Sequence, residues 1–277
     1  MALVALVLAA GAVAFAVRAA VPHIHHHAAP PAAPPPPPKP FRIIFPEGFT
    51  RAEMGERVAA VAKIAQGKHR GKVHLSRASY LAASKRIVVP CFTPHARTKV
   101  EGFLFPATYD FLAKTTSKQL VADQVQAFCR NWKTINLTYA RSKNLTPYDV
   151  LTIASMVEKE AEAPAERRLI AAVIYNRLHA RMPLGIDATL RYGLHIPPDE
   201  SIRESQLQSP SPYNTRNRTT LPPTPIANPG LAALEAAAHP AKVDYLYFVR
   251  KPDKVHHFFT ASASAFAQYE CAHGYGC

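Results

Sequence analysis

Thr146-Pro147-Tyr148-Asp149-Val150-Leu151-Thr152-Ile153-Ala154-Ser155-Met156-Val157-Glu158-Lys159-Glu160-Ala161-Glu162 is the stretch that decides the fold of this chain. Its first four residues start a helix. Thr146 caps, Pro147 takes the first helical position, and the Asp149 carboxylate reaches back to the cap. At about 100° per residue, Val150, Ala154, Val157 and Ala161 form a central buried stripe. Glu160 flanks one edge of the stripe beside Ile153 and Met156. Glu158 flanks the other, beside Leu151 and Ala154, while Lys159 and Glu162 face water. The two edge carboxylates project to different sides, so one cleft would use one of them, and periodicity does not choose which. Either edge position desolvates a carboxyl and raises its pKa, as a general acid at neutral pH requires.

Upstream, Ser117 to Trp132 has a second helical pattern, with Leu120, Val121, Val125, Phe128 and Trp132 on one broad face. Before it, Glu101-Gly102-Phe103-Leu104-Phe105-Pro106-Ala107-Thr108-Tyr109 is an aromatic run punctuated by Gly102 and Pro106, which as plain structure is a packed strand with a turn. Residues 65–100 are basic and carry no clear periodicity. Phe41 to Phe45 reads as a strand and Pro46-Glu47-Gly48 as a turn. Thr50 then caps a helix with Met54, Val58, Val61 and Ile64 at helical spacing. Downstream, residues 171–178 and 231–238 read as helices. Tyr245 to Val249 reads as a strand, followed by His256-His257-Phe258-Phe259.

The N-terminus differs from this body. Ala2 to Val17 is uncharged and apolar, and Arg18 comes where a long side chain can reach the interface. The run approaches the roughly 20 residues of a spanning helix and lacks the basic start of a cleaved signal. It is therefore expected to be a single membrane anchor over residues 1–22. Residues 23–40 contain His23 and His25 to His27, read as a polar tether rather than a metal site, and a Pro-rich stretch expected to form a stiff polyproline II stalk.

Composition excludes several classes. The 277 residues carry 33 Lys+Arg against 19 Asp+Glu, a formal net charge of +14, with 48% hydrophobic residues. That bounds a chain with one or two ordinary cores and anionic surroundings. Gly is too scarce for a collagen-like chain, and one long apolar run excludes a polytopic membrane protein. The chain has no P-loop, GxGxxG, HExxH or GxSxG string. Cys91, Cys129, Cys271 and Cys277 lack zinc spacing, and Cys271 with Cys277 could close a small disulfide loop. A nucleic-acid binder is disfavoured by the anchor and by the lack of a recognisable motif.

Several strings occur in one order: EGFLFPATY, SMVEKE, NRL, IDAT, SPYNT, LPPTPIANPG, HPAKVDYLYFV and HHF. In that order, over roughly residues 41–268, they resemble the endolytic murein transglycosylases, the YceG-like family. The resemblance implies an α+β fold: the N-terminal anchor, the Pro-rich stalk, a small LysM-like subdomain (41–97), a mixed α/β catalytic subdomain (98–270) and a short tail (271–277).

It also implies an enzyme that cuts peptidoglycan glycan strands between N-acetylmuramic acid and N-acetylglucosamine without water, leaving a 1,6-anhydro end. The family's catalytic carboxyl falls on Glu160. Asp187, Thr189, Tyr192, Tyr213, Asn214 and Thr215 become candidate substrate contacts, with Glu158, Asn176 and Glu101 behind them. Neither cofactor nor metal is implied. The implied partners are glycan strands, the bacterial plasma membrane by a single span, and a penicillin-binding protein, with the catalytic part outside the cytoplasm. The chain departs from the family pattern at Ala161 (usually Thr), Gly185 (usually Gln) and Ala107 (usually Asp). Ala161 and Gly185 favour the rival reading, an anchored wall-binding protein without turnover.

Overall fold

Strand β1 (Phe41–Ile44) finds its partner far along the chain. In the computed structural model, which describes residues 38–69, 72–85, 87–92 and 100–275, it pairs with a strand at Thr108–Phe111. The expected anchor, the His tract and most of the expected stalk lie outside the described residues, as does Cys277 of the expected Cys271–Cys277 pair. Among the described residues no helix is long and apolar enough to cross a membrane.

Helix α1 (Arg51–His69) follows the turn. Thr50 caps it: its Oγ1 accepts from the Glu53 N–H at 3.2 Å, and the Glu53 carboxylate accepts from the Thr50 N–H at 2.6 Å. The buried stripe is Met54, Val58, Ala62 and Ala65, whereas Ile64 is 58% exposed. This corrects the expected place of Ile64, while Val61 is half-buried against the core. From Met54 and Val58 the 3.6-residue period reaches 62 and 65 as readily as 61 and 64.

Helix α2 (Arg77–Ala83) carries a Ser76–Ser79 capping box and packs on α1. Strand β2 (Thr108–Phe111) is antiparallel to β1, with Ile43 opposite Tyr109 and Phe41 opposite Phe111. The alternation buries Ile43, Tyr109 and Phe111 and leaves Arg42 and Asp110 paired in solvent at 3.2 Å. The subdomain boundary expected at residue 97 therefore falls between the two halves of one sheet.

Helix α3 (Ser117–Trp132) is capped by Thr116 and Gln119, and all five expected apolar residues are buried. A disulfide joins Cys91 to Cys129. It ties the segment after α2 to α3 beside the rings of Phe92, Phe103, Phe128 and Trp132.

After the short α4 (Thr138–Ser142), α5 (Pro147–Glu160) begins with a Thr146–Asp149 capping box. Every residue from Val150 to Val157 is buried. The helix is central rather than one-faced, as a helix that is apolar nearly all round should be. It ends at Glu160, not Glu162: Ala161 is already extended, and so is Ala163 before Pro164. A residue preceding proline is disfavoured in the helical region.

A 3₁₀ turn (Pro164–Glu166) leads into α6 (Arg167–His179). Helix α7 (Asp187–Leu194) and the short α8 (Glu204–Leu207) follow. Then comes α9 (Leu231–Ala238), whose buried alanines let it lie close against α5. Strands β3 (Tyr247–Arg250) and β4 (His257–Thr260) form an antiparallel hairpin backed by α10 (Ala263–Ala272). Helix α10 runs across the boundary expected at residue 270.

The disulfide closes a separation of 38 residues, for which unfolded-state entropy gives about 2–4 kcal/mol. Replacing both Cys91 and Cys129 by Ser is expected to lower the unfolding free energy by that amount, read from urea denaturation followed by circular dichroism.

Candidate active site

The last turn of α5 separates the two carboxylates. Glu158 turns to α9, where its Oε2 accepts the backbone N–H of Gly230 at 2.9 Å. The Arg167 guanidinium lies 3.9 Å from Oε1. Burial pushes the Glu158 pKa up, and the Gly230 N–H opposes that. This side chain caps a neighbouring helix and does not line the main cleft.

Glu160 does line it. The cleft has a volume of about 1330 Å³ and is walled by α5, α7, the β3–β4 hairpin and the start of α1. The half-buried Glu160 sits where α5 emerges into this space. Burial pushes its pKa up to about 7. The Asp187 carboxylate pushes the same way, while Arg250, the backbone N–H of Ala188 and Lys159 oppose it. Ala188 lies in the first turn of α7, a helix N-terminus that favours the ionised form.

A second carboxyl forms part of the cleft wall. Glu101 is 5% exposed. Its Oε1 accepts the Arg51 N–H and the Asn228 Nδ2 at 2.8 Å each, and its Oε2 accepts the Tyr192 hydroxyl at 3.1 Å. Burial pushes its pKa up to about 7 against these donors. Tyr192 lies 5.3 Å, ring to ring, from Tyr213, whose hydroxyl meets Thr224 Oγ1 at 2.8 Å. Gly193 permits this tilted contact, since a Cβ there would come within 2.4 Å of Tyr213 Cβ.

The remaining expected residues divide. Asp187 is on the cleft wall and pairs with Arg216 at 2.6 Å. Thr189, Asn214 and Thr215 are fully buried behind the wall and do not line the cleft. Thr215 Oγ1 accepts the Ile186 N–H at 3.0 Å and meets Thr189 Oγ1 at 2.9 Å. Asn214 Nδ2 donates to the carbonyls of Leu207 and Ser209. Thr189 and Thr215 hold the loop that carries Gly185, which adopts φ +64 and donates its N–H to the Thr215 carbonyl, and Asn214 holds the 207–216 loop behind it. Asn176 Nδ2 donates to the carbonyls of Val243 and Tyr245, which fixes the approach to β3.

Sequence reasoning missed the hairpin. Phe248, Arg250 and His257 all line the cleft, whereas the sequence reads as a strand only over Tyr245 to Val249 and gives His257 no role. The wall is also rich in cations. Some are committed: Arg177 donates to the Leu184 and Leu246 carbonyls at 2.6 Å, and Arg191 to the carbonyls of Pro197 and Glu200 at 2.8 Å. Arg250 is exposed at the end of β3 beside Glu160. Among the described residues no cluster of three or more His, Cys, Asp or Glu side chains is placed to hold a metal ion.

A model of the YceG-like family matches residues 18–270. The chain is 40% identical over 165 residues to the endolytic murein transglycosylase of Bacillus subtilis (strain 168), covering 58% of this chain and 44% of that protein. It is 33% identical over 223 residues to the endolytic murein transglycosylase of Streptococcus pneumoniae (strain ATCC BAA-255 / R6), covering 75% of this chain and 40% of that one. The chain thus spans less than half the length of either relative. A crystal structure of a Listeria monocytogenes protein described as yceG-like superposes with a TM-score of 0.66 at 27% identity, covering 82% of this chain and 75% of that one.

Glu101 binds its proton more tightly folded than unfolded, since its pKa rises from 4.5 to about 7. Its contribution to stability is full below the unfolded value and is lost as pH rises through the folded one. Glu101→Gln is therefore expected to shrink the fall in Tm between about pH 5 and pH 8, measured by thermal melts of both proteins across that range.

Proposed function

The chain belongs to the YceG-like family, and from that membership we propose that it is an endolytic peptidoglycan lytic transglycosylase with Glu160 as its acid and base. The observation that carries the reading is Glu160 itself. It is a half-buried carboxyl with a pKa near 7, set where the central helix opens into a long, cation-rich cleft.

The chemistry needs one such group. Protonated Glu160 gives its proton to the glycosidic oxygen between N-acetylmuramic acid and N-acetylglucosamine as the C1–O bond breaks. The substrate's own 2-acetamido group stabilises the charge at C1. The muramyl C6 hydroxyl then bonds to C1, and its proton passes to the Glu160 carboxylate, restoring the acid. Because the nucleophile belongs to the same sugar, no second carboxylate is required to activate water. Glu101 is a poor candidate for the acid, since both its oxygens already accept hydrogen bonds from fixed donors. Its role is to hold Tyr192 at the cleft wall. Tyr192 and Asp187 line the cleft, which supports them as contacts to the strand, while Tyr213 is 9% exposed with its hydroxyl on Thr224 and backs Tyr192. Thr189, Asn214 and Thr215 act one layer back, through the loops they support.

The β1–α1–α2–β2 order, with β1 antiparallel to β2, supports a LysM-like glycan-binding unit beginning at residue 41 and closed by β2. The Cys91–Cys129 disulfide suits an oxidising compartment. With residues 1–22 as a single plasma-membrane span and 23–40 as a stalk, the catalytic part works outside the cytoplasm. There it ends nascent glycan strands, with a penicillin-binding protein as partner.

Purified glycan strands incubated with the protein and read by mass spectrometry are expected to yield fragments ending in 1,6-anhydro-muramic acid. Glu160→Gln should lower that rate by about 10²–10⁴-fold, while Glu158→Gln retains measurable cleavage. Reducing ends would mean a hydrolase, and bound but intact strands a wall-binding protein. Arg250 favours the ionised form of Glu160, so Arg250→Ala should raise the acid's pKa and move the alkaline fall of kcat/KM to higher pH.

A further inference from the structure

The transglycosylase mechanism makes no use of a buried pair at the edge of the same cleft. His257, 4% exposed, places Nδ1 2.7 Å from Glu166 Oε2, and its backbone N–H lies 3.1 Å from each Glu166 oxygen. Glu166 accepts these contacts, which in the neutral ring puts the hydrogen on Nδ1 and leaves Nε2 as the acceptor. The ring also packs against two adjacent phenyls, with Phe248 at 5.4 Å edge-on and Phe259 at 5.9 Å. Nε2 meets no hydrogen-bonding partner among the described residues, and His257 lines the cleft.

Its position relative to the acid follows from the ladder. His257 is the cross-strand partner of Arg250, so the two share one face of the hairpin, and Arg250 is the largest positive influence on Glu160. Glu166 reaches the pair from the 3₁₀ turn that follows α5. One short connection thus runs from the acid to the carboxylate that orients the histidine. Phe248, half-buried and on the same face, adds an apolar ring surface to the cleft wall. An aromatic face beside a fixed acceptor matches a sugar, which offers C–H groups on its ring face and hydroxyl or amide donors at its rim.

We propose that the β3–β4 hairpin is a sugar-binding subsite next to Glu160. In it His257 Nε2 accepts a hydrogen bond from a hydroxyl or acetamido N–H of the glycan, and Phe248 packs on the sugar face. The inference rests on the glycan-cleaving reading of this cleft. Glu166 is a positioning residue that acts through the His257 ring.

The test uses Glu160→Gln protein, which holds strands without cutting them, and short uncrosslinked strands of alternating N-acetylglucosamine and N-acetylmuramic acid. The ¹⁵N resonance of His257 Nε2, assigned by comparison with His257→Ala, is expected to shift on saturation. His257→Ala and Phe248→Leu, each added to Glu160→Gln, are each expected to weaken binding about tenfold, or about 1.4 kcal/mol. The shift is read on the intact ring, so it holds even where a variant folds poorly. A His257 resonance that stays still while the Ala188 amide moves would overturn the subsite, and absence of strand binding would overturn it together with the reading it rests on. If unaltered protein leaves strands uncut while the ring resonance moves and both variants bind weakly, the subsite stands and the transglycosylase reading falls.

Discussion

Burial of α5 on all sides sets what this molecule can do. A helix whose side chains from Val150 to Val157 are all removed from water has no place for a charge until its last turn. The polar groups it does contain are bonded locally: Thr152 Oγ1 donates to the Tyr148 carbonyl, and Ser155 Oγ donates to the Thr152 carbonyl and accepts the Ile226 N–H. Glu158 and Glu160 occupy the turn where the helix leaves the core. Two residues apart, they point about 200° from one another. One carboxylate is spent on the N-terminus of α9, the small-residue helix that seals α5, and the other meets the cleft. Glu160 lies at a helix C-terminus, which disfavours its anion, and against the first turn of α7, which favours it. That balance suits the role proposed for Glu160, giving a proton and taking one back within a single turnover.

The far wall depends on one asparagine. Asn228 is fully buried and uses all its hydrogen-bonding capacity. Its Oδ1 accepts the N–H groups of Gly102 and Leu104, and its Nδ2 donates to the Phe49 carbonyl and to Glu101 Oε1. Its backbone adds two more bonds, to Gly48 and Phe49. The turn before α1, the 101–104 segment and the loop before α9 are thereby locked together. Glu101 and Tyr192 inherit their positions from this junction, so the first globular segment and the catalytic part share one wall.

Local chemistry was legible in the sequence, and distant pairing was not. The cap at Thr50, the capping box at Thr146 and the apolar face of α3 follow from short-range rules and stand as read. The partner of β1 could not be read, because nothing in FRII specifies a strand some sixty residues on. Nor could the Glu166–His257 pair, whose members lie 91 residues apart. Thr189, Asn214 and Thr215 show a different limit. Hydroxyl and amide groups that bind a sugar are the same groups that satisfy the backbone of a buried loop, and composition cannot separate the uses. Burial separates them: a side chain with all its polar atoms turned inward has none left for a ligand.

Two carboxyls in one cleft have their pKa pushed up to about 7 by burial, and their partners favour Glu160 over Glu101 as the acid of the proposed reaction. Glu101 is enclosed, with a backbone N–H, an amide and a phenol aimed at its two oxygens. Transfer of a proton to a substrate would have to break contacts that also hold Asn228 and Tyr192 in place. Glu160 has the Ala188 N–H on one side and open cleft on the other, with Arg250 as a solvent-facing charge that can follow its ionisation. Desolvation raises both groups alike, so the shift alone does not mark the acid. What distinguishes Glu160 is access: its proton can leave and return without dismantling the wall around it.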